Sequence, residues 1–444
     1  MQQSNRTLLG MLTWLTLWFS HTTSAAPEIP GESLHGPLAF VGATVHPISG
    51  PTVENATVVI SRKGRIQAVG REIVIPPQAK QLNLVGKHVY PGLLDAHSNI
   101  GLVEINRVRA SVDSAETGNI NPNTKSWVAV NPDSEMIPVT RSNGVLLALS
   151  APSGGLISGK SAVMQLDGWT FEDMTLRSSI GMHVQWPNML PVINWTTEET
   201  ASEQIEERDE QLEILRQTFE RARAYQQART ADRANSVFDI RWEAMIPVLE
   251  QKIPLIVSAN DVQQIQSAVG FSTKQNVRLI IYGGYDALQC AELLKKHDIP
   301  VIIAGIYRLP RRRHDNYDAP FALPAKLQSA GISFCISSAG RFGASNLRNL
   351  PYHAATASAF GLPKEAALKA ITLSPAEILG VADRVGSIEK GKDATLIITD
   401  GDILETPTHV EAAFIQGREV ELNDRHKRLW RKYQEKYRRL GIGN

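Results

Sequence analysis

Runs of four to six apolar residues, each followed by a stretch of helical period, recur through the middle of the 444-residue chain, and short β-branched strands stand at both ends. Together they predict an α/β fold: a TIM-like (β/α)8 barrel with a small β-sandwich domain built from both chain ends. The length agrees, since 444 residues exceed the usual single core and suit one large domain plus a smaller one.

Residues 1–26 read as a secretory signal peptide. Arg6 precedes an apolar run from Leu8 to Phe19, and small residues follow at Thr23, Ser24, Ala25 and Ala26. The run is short for a membrane span, and a buried N-terminal helix is the alternative reading. Export, periplasmic or extracellular, is therefore expected, and no other segment has the length and apolarity of a transmembrane helix.

Residues 27–90 form the N-terminal part of the β domain, with alternating strands in AFVGATVHPI, NATVVISRKGRIQAVG and KQLNLVGKHVYPG. Lys63-Gly64 suits a tight hairpin turn between two of them. Residues 91–385 form the barrel, whose buried strands are Val145–Leu149, Leu255–Ser258, Val277–Tyr282, Val301–Ala304 and Ile332–Ser337. On this fold the chemistry sits at the C-terminal strand ends.

Within the barrel, 198–235 is highly charged. Ile205, Leu212, Leu215, Phe219 and Ala222 give it the narrow stripe of a long helix. We read it as an excursion packed on the barrel, with a coiled-coil homodimer contact as the other option. Residues 386–423 return to the β domain. Residues 424–444 form a basic helix with Trp430, Tyr433, Tyr437 and Leu440 at helical spacing. Such a helix can lie on an anionic surface, but the commoner arrangement, expected here, packs the stripe on its own domain and leaves the charges solvated.

Apolar residues at 43% and charged residues at 20% describe an ordinary globular protein. A formal charge of +1 gives no global attraction to nucleic acid or anionic membrane, so no nucleic-acid partner is expected. Cys290 and Cys335 fall in a helix and a strand and read as buried free thiols.

Two segments resemble a known family. Tyr90–Leu102 (YPGLLDAHSNIGL) looks like the first barrel strand of the amidohydrolase superfamily, in its imidazolonepropionase-like and prolidase-like branch, where a PG-x-x-D-x-H-x-H pattern is usual. Residues 346–379 followed by 386–402 (GSIEKGKDATLIITDGD) are similar to the family's closing helices and hairpin, with Thr395 in place of the usual Asp. The resemblance covers residues 38–422. It implies a metal-dependent hydrolase of C–N bonds in cyclic amides, dipeptides or related small molecules.

The resemblance also specifies a metal site, and most of its positions are altered. His97 is kept, but Asn99 stands where a second histidine belongs. The histidines that should end the fifth and sixth strands are Ser258 and Gly283, and the proton-accepting Asp of the eighth is Ser338 or Ala339. The bridging Lys or Glu of the fourth strand has no evident counterpart. Catalytic zinc usually needs three protein ligands and an open position for water. We therefore expect either no cofactor or one weakly bound divalent metal, with zinc as a candidate, at His97 and Asn99. Glu104, Asp113 and Glu116 are nearby oxygen donors. Asp95 reads as structural.

Two further constellations remain. Arg308, Arg311, Arg312 and Arg313 in YRLPRRRHDNYD follow the presumed seventh strand and, with Ser258, are the candidate binding residues for a small acidic ligand. Asp315 and Asp318 could equally neutralise them. Gly154–Ser161 fits GxxxxGK[ST], but AVMQLDG after it reads as strand and turn rather than the helix a phosphate loop must open. The sequence thus points to an amidohydrolase homologue with impaired or lost activity, a pseudoenzyme, or to a non-catalytic exported small-molecule-binding protein on the same scaffold.

Overall fold

The computed structural model describes residues 29–192, 197–232, 236–338 and 343–442; the leader-like segment 1–26 and Ala339 lie outside them. The alternating residues of the first ninety positions form β1 (Leu38–Val45), β2 (Val53–Ile60), β3 (Ile66–Gly70), β4 (Lys80–Asn83) and β5 (His88–Pro91). The turn between β2 and β3 needs a glycine. Gly64 has φ +69°, and a Cβ there would lie 1.8 Å from the Gln416 carbonyl oxygen.

The apolar runs of the middle form β6 (Leu93–Ser98), β7 (Val145–Ser150), β8 (Ile157–Lys160), β9 (Ala162–Gln165), β10 (Thr175–Arg177), β11 (Met182–Gln185), β12 (Leu255–Ala259), β13 (Leu279–Gly283), β14 (Val301–Ala304) and β15 (Phe334–Ser337). The chain ends with β16 (Leu396–Thr399), β17 (Val410–Ile415) and β18 (Arg418–Val420), then a helix over Arg425–Arg439.

Both ends of the chain share one eight-stranded sheet of order β18-β17-β16-β5-β1-β2-β3, with β4 beside β1. β16 joins it antiparallel to β5, Leu396 opposite Pro91. Phe40 of β1 and Phe414 of β17, ring centroids 5.0 Å apart, sit in the apolar cluster that ties the two ends together.

The middle of the chain forms a mixed α/β core of two sheets, β10-β9-β7-β6 and β15-β14-β13-β12-β11-β8. β6 and β7 are parallel, and β11 to β15 are parallel throughout. β8 and β9 run antiparallel to their neighbours, and only Ser161 separates them, so this segment passes from one sheet to the other. The Gly154–Ser161 segment therefore leads through a strand, and no helix N-terminus is present to hold phosphates. Leu94, Leu147, Leu149, Val163, Ile256, Ile280, Ile302 and Cys335 pack together on one face of these strands.

The helix Ala201–Ala231 starts with a Thr200–Glu203 capping box and buries Leu215, Thr218, Phe219 and Ala222. Its stripe packs on the body, with Phe219 meeting Phe271 at 5.1 Å. The helix Arg425–Arg439 corrects the expectation that its aromatic stripe would pack: none of its residues is buried. Cys290 and Cys335 are buried free thiols. Among the described residues no helix is long and apolar enough to cross a membrane.

Candidate functional site

Side chains opposite one another in a ladder project to the same face, so the register defines what lines the strand ends. Gln185, Ser258, Tyr282, Ile302 and Cys335 form one such row across β11 to β15. Ala304 and Ser337 form the row above, toward the C-terminal strand ends. His97, near the end of β6, lays its imidazole on the Tyr282 ring, centroids 3.6 Å apart and planes 12° apart. His183 meets it edge-on at 5.4 Å, and its Nε2 lies 2.8 Å from Ser161 Oγ. Burial pushes the His97 imidazole down to about 3 and the His183 imidazole well below its ordinary value, so both are neutral at physiological pH. Burial also pushes the Tyr282 phenol up, keeping it protonated.

Asp95 has its oxygens committed to bonds within the fold. It accepts hydrogen bonds from the His97 amide (2.9 Å), the Ser338 amide (2.7 Å) and the Ser338 hydroxyl (2.5 Å), which fastens β6 to the segment leaving β15. Burial raises its carboxyl to about 6 despite these bonds. Asn99 is similarly occupied, its Oδ1 accepting from the Ala344 amide at 2.9 Å.

The residues present do not fit the family's metal. Zinc coordination needs three or more converging His, Cys, Asp or Glu side chains, and no such group exists among the described residues. Gly283 has φ +103°, and a Cβ on it would sit 2.3 Å from Asn260 Oδ1, so a side chain there would displace Asn260 and hold a backbone conformation that L residues rarely adopt. Gln185 ends β11 level with Ser258. Glu104 turns toward Ser134 and Asn131, with its carboxyl raised by burial, while Asp113 and Glu116 are exposed.

The arginine segment follows β14 but reaches a crevice at the rim, lined by Tyr285, Asp286, Arg308, Arg311, Arg312 and Lys326 among others. Arg312 is already paired: its guanidinium forks onto the buried Asp286, and its amide donates to Asp315 Oδ2 at 2.9 Å. Arg308 differs. Its guanidinium carbon lies 3.6 Å from the Tyr285 ring centroid, its Nε is buried without a hydrogen-bond partner, and burial lowers its pKa. Arg311 lies 5.9 Å from the same ring, and Arg313 is exposed. Tyr285 donates to the Ala304 carbonyl at 3.1 Å, so it stands between this crevice and the strand ends.

Residues 286–420 match the amidohydrolase family model. A solved amidohydrolase from Thermotoga maritima is 26% identical with a TM-score of 0.77, over 86% of this chain and 99% of that one. The chain belongs to the amidohydrolase superfamily. The curated amidohydrolase tasK of Hapsidospora irregularis is 22% identical over 396 residues, 81% of this chain, and the chain spans 39% of that relative's length. A prolidase solved with N-methylphosphonate-L-proline shares the fold at 16% identity and a TM-score of 0.53, over 87% of this chain and 99% of its own.

Among the residues at these strand ends, sequence reasoning reached His97, Asn99, Ser258 and Gly283 but missed His183, Gln185 and Tyr282. The short alternating run Met182–Gln185 was the available signal for the first two.

Proposed function

We propose that this amidohydrolase homologue, of the imidazolonepropionase-like and prolidase-like branch, has lost metal-dependent hydrolysis of C–N bonds and binds a small acidic molecule. The observation that carries the loss is the row Gln185, Ser258 and Tyr282 with Gly283 beside it: an amide, a hydroxyl, a phenol and a bare backbone replace the side chains that would gather a metal around His97. His97 and His183 are two neutral imidazoles with no third His, Cys, Asp or Glu grouped with them among the described residues, and such a pair neither holds zinc tightly nor lowers the pKa of water. No cofactor is assigned.

Binding of an acidic group is supported by Arg308 and Arg311. Neither has an ion-pair or side-chain hydrogen-bond partner among the described residues, and they share Tyr285 as a platform, whereas Arg312 serves the fold. A half-buried guanidinium with an orphaned Nε gains most from a carboxylate or phosphate oxygen. Ser258 would contribute from the strand ends.

The same reading takes the two core sheets as one barrel of eight positions, with β8–β9 as the third. It takes the end sheet as a wall of a β-sandwich domain, and residues 1–26 as an export leader.

The test is calorimetric titration of the protein with glutarate and with inorganic phosphate, beside the Arg308→Ala/Arg311→Ala variant. Binding to either probe that weakens about tenfold or more in the variant is expected, the scale of one lost charge-assisted contact. An unchanged affinity in the variant, or no binding of either probe, refutes the binding half of the proposal.

A further inference from the structure

Among the described residues the helix Arg425–Arg439 is tied to what precedes it only over its first two turns, the last tie being Arg431 to Asn423 Oδ1 at 3.0 Å. Asp424 caps it by accepting from the Lys427 amide at 2.9 Å, Arg428 pairs with Glu135 at 3.0 Å, and His426 meets Arg348 at 3.1 Å. From Leu429 to Ile442 every residue except Glu435 is exposed. A free helix of 15 residues is marginal in water, so this one is stabilised chiefly by whatever covers it.

Its exposed face has a definite chemistry. At 3.6 residues per turn, Leu429, Trp430, Tyr433, Tyr437 and Leu440 fall within an arc of about 100°. Trp430 is 62% exposed and Leu440 58%, and the other three exceed 40%. Lys432 and Lys436 border the stripe, their ammonium groups 6.0 and 5.8 Å from the Tyr433 ring centroid. Arg425 lies on the same border and Lys427 on the opposite one. Glu435 is the single acid within the helix, and Arg438 and Arg439 pair with it.

We propose that this helix is a membrane-docking element that lies on an anionic lipid surface with its aromatic stripe at the level of the headgroups. Tyr and Trp rings, with an apolar body and a polar tip, suit that boundary, and the flanking lysines and arginines meet lipid phosphates. Charge selects this occupant over a second copy of the chain. Packing two such faces together would bring Arg425, Lys432 and Lys436 of one copy against their equivalents. The docking is peripheral, because the helix is far too polar to span a bilayer.

The experiment is co-sedimentation of the full chain with vesicles of phosphatidylglycerol and phosphatidylcholine, with pure phosphatidylcholine vesicles alongside. Two variants are compared: Trp430→Ser/Tyr433→Ser/Tyr437→Ser, and Lys432→Glu/Lys436→Glu. Both alter only exposed side chains, and unchanged thermal unfolding of the body verifies that they fold. The expected result is binding to the mixed vesicles only, weakened by high salt and reduced about tenfold or more in each variant. Failure to bind the mixed vesicles, or binding by either variant as tight as that of the wild type, overturns the proposal. So does a dimer in sedimentation equilibrium that the aromatic variant dissociates, which would assign the face to a second copy.

Discussion

Asp95→Asn separates a buried structural carboxyl from a catalytic one, and its effect can be worked from the site. The folded-state pKa of Asp95 is raised from 3.8 to about 6, because the cost of burial exceeds the help of the hydrogen bonds donated by Ser338, His97 and Ser337. A raised carboxyl favours the folded state when protonated. Its contribution is fully present below pH 3.8 and is lost as pH rises through about 6. At 1.36 kcal/mol per pKa unit, the full loss is about 3 kcal/mol, and roughly 1.4 kcal/mol of it falls between pH 5 and pH 7.5.

An asparagine does not titrate, and it keeps one oxygen for the Ser338 or His97 amide while turning an NH2 group against the other. The constant cost of that mismatch is about 1–3 kcal/mol. The pH-dependent part is independent of it. Urea unfolding of both proteins at the two pH values should therefore show the variant gaining on the wild type by roughly 1.4 kcal/mol toward alkaline pH. A difference that stays constant across this range would refute a raised Asp95.

Three other outcomes follow from the same geometry. His353 is buried and pushed down to about 4, with its Nδ1 accepting from the Ile306 amide at 3.2 Å. Its stabilising contribution is present above pH 6.5 and lost as pH falls through about 4, so His353→Asn should remove roughly 3 kcal/mol of acid sensitivity in urea titrations between those values. Gly283→Ala places a Cβ against Asn260 at positive φ and should cost at least about 2 kcal/mol by thermal unfolding. Arg312→Ala leaves buried Asp286 without its fork and should destabilise by about 3 kcal/mol in denaturant; a neutral result would return Arg312 to the binding residues.

Strands such as Val145–Leu149, Leu255–Ser258 and Val301–Ala304 were legible because buried parallel strands are continuous apolar runs. Met182–Gln185 was not, since His183 and Gln185 break the run, and an antiparallel β8–β9 leaves no mark in local periodicity. The altered metal positions could be read from Asn99, Ser258 and Gly283 once a frame existed. That Tyr282 lies against His97 could not be, because the contact depends on two strands separated by 185 positions. The partner of Arg312, Asp286, likewise lies 26 residues away and out of reach of spacing arguments. For the C-terminal helix, the stripe was visible in the sequence, but which neighbours fail to cover it is a property of the assembled fold.

We propose that the strand ends cannot gather a catalytic metal. The most direct test is elemental analysis of protein purified without chelator or affinity-tag metal, with His97→Ala alongside. Neither protein should carry stoichiometric zinc, manganese or iron, and added zinc should not stabilise either. About one equivalent of metal in the wild type, absent from His97→Ala, would contradict this and restore a rebuilt hydrolytic centre.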